Sequence, residues 1–185
     1  MRIPVGTDDF DKIRRNRSYY VDKTELIYEL VEGTDNEVTL ITRPRRFGKT
    51  LMMSMLESFF SIRRADSREV FEGLSIMRHQ AFCAEWMNRY PVLSLTFKGV
   101  EDLSFDQAYE MLQMRLAELC IAHRDLLCSK HVAEADRNTF QKLMERRSDL
   151  SEVKTSLKML MRMMHAVYDK PVILLGQYKK LWAEA

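Results

Sequence analysis

The sequence predicts an α/β fold, a parallel sheet with helices on its flanks. Three observations carry this prediction. Short apolar runs rich in β-branched residues stand at 38–42, 91–97 and 172–175 and read as strands. Longer segments with apolar residues at helical spacing stand between them. The two patterns alternate along the chain, and parallel neighbours need such helical crossovers. At 185 residues, with 46% hydrophobic and 30% charged content, the chain can bury one core, and residues 1–185 are read as a single domain.

Taken in order, residues 1–18 are polar, with turn residues Pro4 and Gly6, and read as an N-terminal arm packed on the domain. Tyr19, Tyr20 and Val21 suit extended backbone. Asp22 reads as a helix cap with Glu25 as its capping-box partner, and Leu26, Ile27, Leu30 and Val31 form the stripe that Gly33 ends. The strand at 38–42 leads into a basic turn and then a helix with Leu51, Met52, Met55, Leu56, Phe59 and Phe60 on one face. Residues 61–73 read as a loop with a short helix near 68–71, and 81–87 as helical. The second strand at 91–97 is closed by Gly99. Ser104 and Gln107 form a capping box for a helix burying Phe105, Ala108, Met111, Leu112, Leu116, Leu119 and Cys120. A helix over 133–146 and another opened by Ser151 follow. Lys170-Pro171 breaks the latter before the third strand.

Bulk properties exclude several classes. The net charge of +2 does not argue for a polyanion partner by itself. Basic residues are dense only locally, at Arg14-Arg15, at Arg43, Arg45 and Arg46, and at Arg63-Arg64. Three cysteines, Cys83, Cys120 and Cys128, show neither zinc spacing nor a disulfide framework and read as small buried apolar residues of a reducing compartment. Charges at Arg2, Asp8, Asp9 and Asp11 interrupt any leader-like run, and no run reaches the length of a membrane span. The expectation is a cytoplasmic protein with no membrane partner. Met159, Met161, Met163 and Met164 cluster in one helix, as packing filler or, alternatively, as an adaptable binding face.

The stretch from residue 38 to residue 60 carries the chemistry. Strand, basic turn, Gly48-Lys49-Thr50 and helix follow one another in the layout of a phosphate-binding loop. A helix N-terminus presents unpartnered N–H groups and partial positive charge, and a phosphate oxygen satisfies both. Gly48 lets the backbone approach closely. Lys49 reaches the β- and γ-phosphates of ATP as a point charge. Thr50 offers its hydroxyl to Mg²⁺, the metal position of the site. The binding residues are Arg43, Pro44, Arg45, Arg46, Phe47, Gly48, Lys49, Thr50 and Leu51. Against the Walker A pattern G-x-x-x-x-G-K-[ST], Arg43 stands at the first glycine. The competing reading is an ordinary helix start behind a basic turn.

The run from Arg43 to Leu51 resembles the signature loop of the prokaryotic AAA-ATPase-like family. Ile3-Pro4-Val5-Gly6 with Asp9-Phe10, Tyr19-Tyr20-Val21-Asp22-Lys23-Thr24, and Tyr90-Pro91-Val92 agree with it, so the likeness covers nearly the whole chain. The resemblance implies a P-loop NTPase-like parallel sheet, ATP as ligand, Mg²⁺ as metal, and often a following PD-(D/E)XK nuclease-like domain. In that family the first glycine is replaced by arginine. Asp22 and Lys23 keep two readings, a helix cap with a surface lysine or a frame for the base or a phosphate.

One part of the pattern fails. By the resemblance, the strand at 171–175 leads into an Asp-Glu-Tyr-Asp type run that holds Mg²⁺ and polarises water. Here the residues are Gly176, Gln177, Tyr178, Lys179 and Lys180. Mg²⁺ then lacks an anionic anchor and is weakly held. Gln177 can orient a water but cannot take its proton, so hydrolysis is expected to be slow or absent, and no catalytic residue is assigned. The family's fold continues beyond the third strand, so the sheet is expected to be incomplete at the C-terminus, truncated, with an edge that a protein partner could cover. The alternative function is a basic interaction module that binds nucleic acid or protein through Arg45, Arg46, Arg63 and Arg64 without nucleotide.

Overall fold

The computed structural model describes residues 6–33, 37–42, 48–97 and 104–177. The chain divides into two compact units, Met1–Val92 and Leu93–Ala185. The architecture is α/β and mainly helical, with a two-stranded parallel sheet.

The first unit holds α1 (Phe10–Arg15), α2 (Glu25–Glu32), α3 (Lys49–Phe60), 3₁₀ segments at Ile62–Phe71 and Ser75–Arg78, and α4 (Gln80–Trp86). Its core is aromatic. Phe59 is fully buried and meets Phe71 edge-on at 5.4 Å and Phe82 stacked at 5.9 Å. Phe10, also fully buried, lies 4.9 Å from Phe71. The arm read over 1–18 therefore contains a helix, α1, capped by Asp9 accepting from the Lys12 N–H at 3.1 Å.

Three expectations change in this unit. Residues 38–42 form no strand, and Val38 and Leu40 are 82% and 65% exposed. An extended run becomes a strand only when a neighbour takes its N–H and C=O groups. The Tyr90 strand-like backbone instead pairs with Ser61 in an isolated parallel bridge. Asp22 does not cap α2. The cap position belongs to Thr24, without a side-chain capping bond, and no capping box forms with Glu25. Residues 62–71 form a ten-residue 3₁₀ segment broken at Arg64 (φ −117°, ψ 42°), longer than the short helix expected.

The second unit holds most of β1 (Val92–Thr96), then α5 (Phe105–Ala122), a 3₁₀ turn at Arg124–Cys128, α6 (Glu134–Met144), α7 (Leu150–Tyr168) and β2 (Ile173–Gln177). Leu93, Leu95, Leu116, Cys120, Phe140, Leu143 and Leu160 share one core with Met159, Met163 and Met164, so these three methionines pack inward. The Ser104–Gln107 capping box forms as expected. Phe105, expected on the buried side, is 75% exposed, because it precedes the turn at which α5 meets the core. The cap of α7 is Asp149, boxed with Glu152, two residues before the predicted opening at Ser151. The helix ends at Asp169 in the left-handed region (φ 51°), ahead of Pro171. Arg162 grips the buried Asp136 carboxylate and ties α7 to α6. The sheet has two strands among the described residues rather than three, and β2 runs on through Gly176 and Gln177.

Candidate functional site

The described part of the loop is its C-terminal end: Gly48, Lys49, Thr50 and Leu51. Arg43, Pro44, Arg45, Arg46 and Phe47 lie outside the described residues. Gly48 caps α3 at φ 75°, ψ 22°, in the left-handed region. Glycine reaches that region without the penalty that a Cβ imposes. Its carbonyl accepts the Met52 N–H at 2.9 Å, which commits the next residues to the helix. Among the described residues a Cβ built on Gly48 would meet nothing within 4 Å, so it is the left-handed backbone rather than a close neighbour that favours glycine here.

Lys49, Thr50 and Leu51 follow in the first turn, all half-buried. No acidic residue stands in that turn. A cation at the positive end of a helix opposes the helix dipole, and Gly48 has no side chain to offset it. The rest of α3 is anchored by Met55, Leu56, Phe59 and Phe60, all buried, so the first turn projects from a fixed rod. These residues suit a polyphosphate chemically: backbone N–H donors, an ammonium group, and a hydroxyl of the kind Mg²⁺ accepts.

Asp22 is occupied elsewhere. Its Oδ1 accepts from the Thr24 N–H (2.9 Å) and hydroxyl (2.7 Å), and its Oδ2 from the Ser75 N–H and hydroxyl, both at 2.7 Å. Thr24 is fully buried, and its Oγ1 accepts the Ile76 N–H at 3.2 Å. Burial pulls the Asp22 carboxyl upward, but the donated bonds, led by those of Thr24, outweigh it and hold it below the usual carboxylate range. The carboxylate thus fastens the start of α2 to Ser75–Arg78.

Much of the basic patch is also bound internally. Arg64 donates to Asp11 Oδ2 at 3.0 Å and Glu57 Oε1 at 3.3 Å. Burial disfavours its charge, yet these two carboxylates raise its pKa overall. Arg14 donates to the carbonyls of Val70 (2.8 Å) and Glu72 (2.9 Å), and Arg15 pairs with Asp66. In the second unit, the Phe97 N–H donates to the Gln177 carbonyl at 2.8 Å, so Gln177 belongs to the sheet ladder. Cys83 and Cys120 are buried, and burial pushes the Cys120 thiol up to about 12; Cys128, expected buried, is exposed.

Two groups had no signal in the sequence. Ser75 meets Asp22 across 53 positions. His79 stacks on Tyr28 at 3.9 Å and places Nε2 2.6 Å from Glu25 Oε1, a pairing that replaces the expected capping role of Glu25. Neither contact follows from local spacing, since both depend on how α2 meets the segment at 75–79.

Comparison with known proteins places these features. The model of the AAA-ATPase-like family, described as predicted AAA-ATPase, matches residues 4–183. An uncharacterized protein in the vnfD 5′ region of Azotobacter chroococcum mcd 1 is 38% identical over 100 residues, covering 53% of this chain. The aligned stretch spans only 17% of that relative's length. No solved structure matches significantly. Among the described residues, no helix is long and apolar enough to cross a membrane.

Proposed function

The chain belongs to the AAA-ATPase-like family, and from that premise we propose that residues 1–185 act as one P-loop domain that binds Mg-ATP and hydrolyses it slowly or not at all. One observation carries the reading. Helix α3 opens on a left-handed glycine followed at once by Lys49, with no acid in its first turn. A helix start of that composition suits a polyanion placed against it. Lys49 would contact phosphate oxygens, and the Thr50 hydroxyl would ligate Mg²⁺. The ion would supply neutralisation of the phosphate charge.

The slow hydrolysis rests on sequence and strand position. The residues that follow Leu175 are Gly176 and Gln177, neither of which carries a charge or accepts a proton at neutral pH. General-base help is worth about 10²–10⁴-fold in rate. The reading as a basic nucleic-acid module is weakened because Arg64 is engaged by Asp11 and Glu57.

The test is a titration of labelled ATP, with and without Mg²⁺, against wild type and Lys49→Ala. A charge-assisted contact is worth about 1.5–3 kcal/mol, so the variant should bind roughly 10–100-fold more weakly. Equal binding by both proteins refutes the site. Phosphate release near one per second at saturating Mg-ATP refutes the impaired hydrolysis and leaves the binding site standing.

A further inference from the structure

We propose that residues 9–20 form a strap whose docking on the middle of α3 is coupled to ligand binding at that helix's N-terminus. This rests on the nucleotide reading given above and adds a conformational control to it.

The strap touches α3 at three successive points. The Phe10 N–H donates to Ser54 Oγ at 3.0 Å. The Tyr20 hydroxyl donates to Met55 Sδ at 3.3 Å, and its ring meets Phe10 edge-on at 5.3 Å. Asp11 reaches Glu57 through Arg64, which spans the two carboxylates like a buckle. Arg64 takes that position by leaving helical geometry within its own 3₁₀ segment. These contacts begin five residues from Lys49, about 8 Å along the helix at its usual rise. A helix is stiff over that distance, so the strap, together with the buried Met55, Leu56, Phe59 and Phe60, sets where the first turn lies.

Two features of the strap work against its docking. Helix α1 has six residues, too few to persist in water without a surface to pack on. Its helical state therefore depends on packing against α3 and the 62–71 segment. Asp11 keeps its second oxygen, Oδ1, buried with no hydrogen-bond partner, and such an orphaned acceptor opposes docking. The strap is thus held by Phe10, Ile13, Arg14, Arg15 and Tyr20 together with the Arg64 bridge, against the desolvation cost at Asp11 Oδ1. An element of this kind opens and closes locally without unfolding the rest. Coupling is reciprocal: if docking favours the ligand-binding form of α3, ligand must favour docking by the same factor.

The experiment is amide hydrogen exchange on the full chain, with and without saturating Mg-ATP. The amides of Ile13, Asn16, Arg17 and Ser18 report on α1, since each bonds within the docked strap. Their exchange should slow at least about fivefold with nucleotide in wild type and not in Lys49→Ala, a factor at the low end of ordinary coupling. Asp11→Asn should weaken Mg-ATP binding by a similar factor. The wild-type comparison needs no variant, so it decides even if Asp11→Asn folds poorly. Lys49-dependent ATP binding with unchanged exchange at these amides overturns the strap and spares the nucleotide site. An Asp11→Asn variant that melts earlier but binds ATP as wild type does reduces the strap to a structural brace and also overturns the proposal. Absence of any Lys49-dependent binding overturns both readings.

Discussion

Helices α3 and α7 begin in opposite ways. At α7, Asp149 Oδ1 accepts the Glu152 N–H at 2.8 Å, and Glu152 Oε2 accepts the Asp149 N–H at 3.0 Å. An acid thus faces the positive end of the helix, and the chain satisfies its own donors. At α3 the cap is a bare glycine, and the first helical residue is a lysine. Both helices are anchored further along by buried side chains, Leu56 and Phe59 in one and Met159, Leu160 and Met163 in the other. Stability of the helix body therefore does not explain the contrast. What differs is the first turn: α7 is closed by its own residues, while α3 has the charge and backbone geometry that suit an external anion.

The largest effect expected from probing this contrast comes from Gly48→Ala. An L-residue in the left-handed region costs about 1–2 kcal/mol, and no neighbour lies close enough to add a clash. Urea unfolding should show a lower midpoint with unchanged slope, and ATP binding should weaken as the turn rearranges. An alanine variant as stable as wild type would mean that the left-handed start is not held in solution. Next comes Asp149→Ala, which removes an acidic cap worth about 1 kcal/mol. Its melting temperature should fall by about 2–4 °C, with ATP affinity within twofold of wild type. A clear loss of affinity would break the division of roles between the two helix starts.

The smallest expected effect concerns Asp22. Its folded pKa is depressed, so its contribution is present above the unfolded value of about 4 and is lost as pH falls through the folded value. Asp22→Asn should be less stable than wild type at pH 6, and the difference should shrink on acidification below pH 4. Asp22 lies at an exposed position, and water screens its interactions, so the gap should be modest. A gap that grows at low pH would contradict the bonding pattern at Ser75.

Local order was widely readable in the residues. The box at Ser104 and Gln107, the stop before Pro171, the apolar stripe of α3 and the Gly48-Lys49-Thr50 start all depend on groups within four positions of one another. The Asp22-x-x-Glu25 pattern shows where such reading stops. It has the same spacing as the Asp149-x-x-Glu152 box of α7, yet Asp22 bonds Ser75 and Glu25 bonds His79. A carboxylate goes to the strongest donors within reach, and which donors are in reach was decided by packing across more than fifty residues.

The residues alone therefore determined the Ser104–Gln107 box, the Gly48-Lys49-Thr50 start and the stop before Pro171, the likeness to the AAA-ATPase-like family, and the absence of an acid at Gly176 and Gln177. Tertiary structure alone decided that residues 38–42 form no ladder and leave Val38 and Leu40 exposed, that α1 docks on α3, and that Arg64 is held between Asp11 and Glu57. The reason is physical. Periodicity and capping are settled within a few residues, whereas strand pairing and ion pairing need partners that only the folded chain brings together.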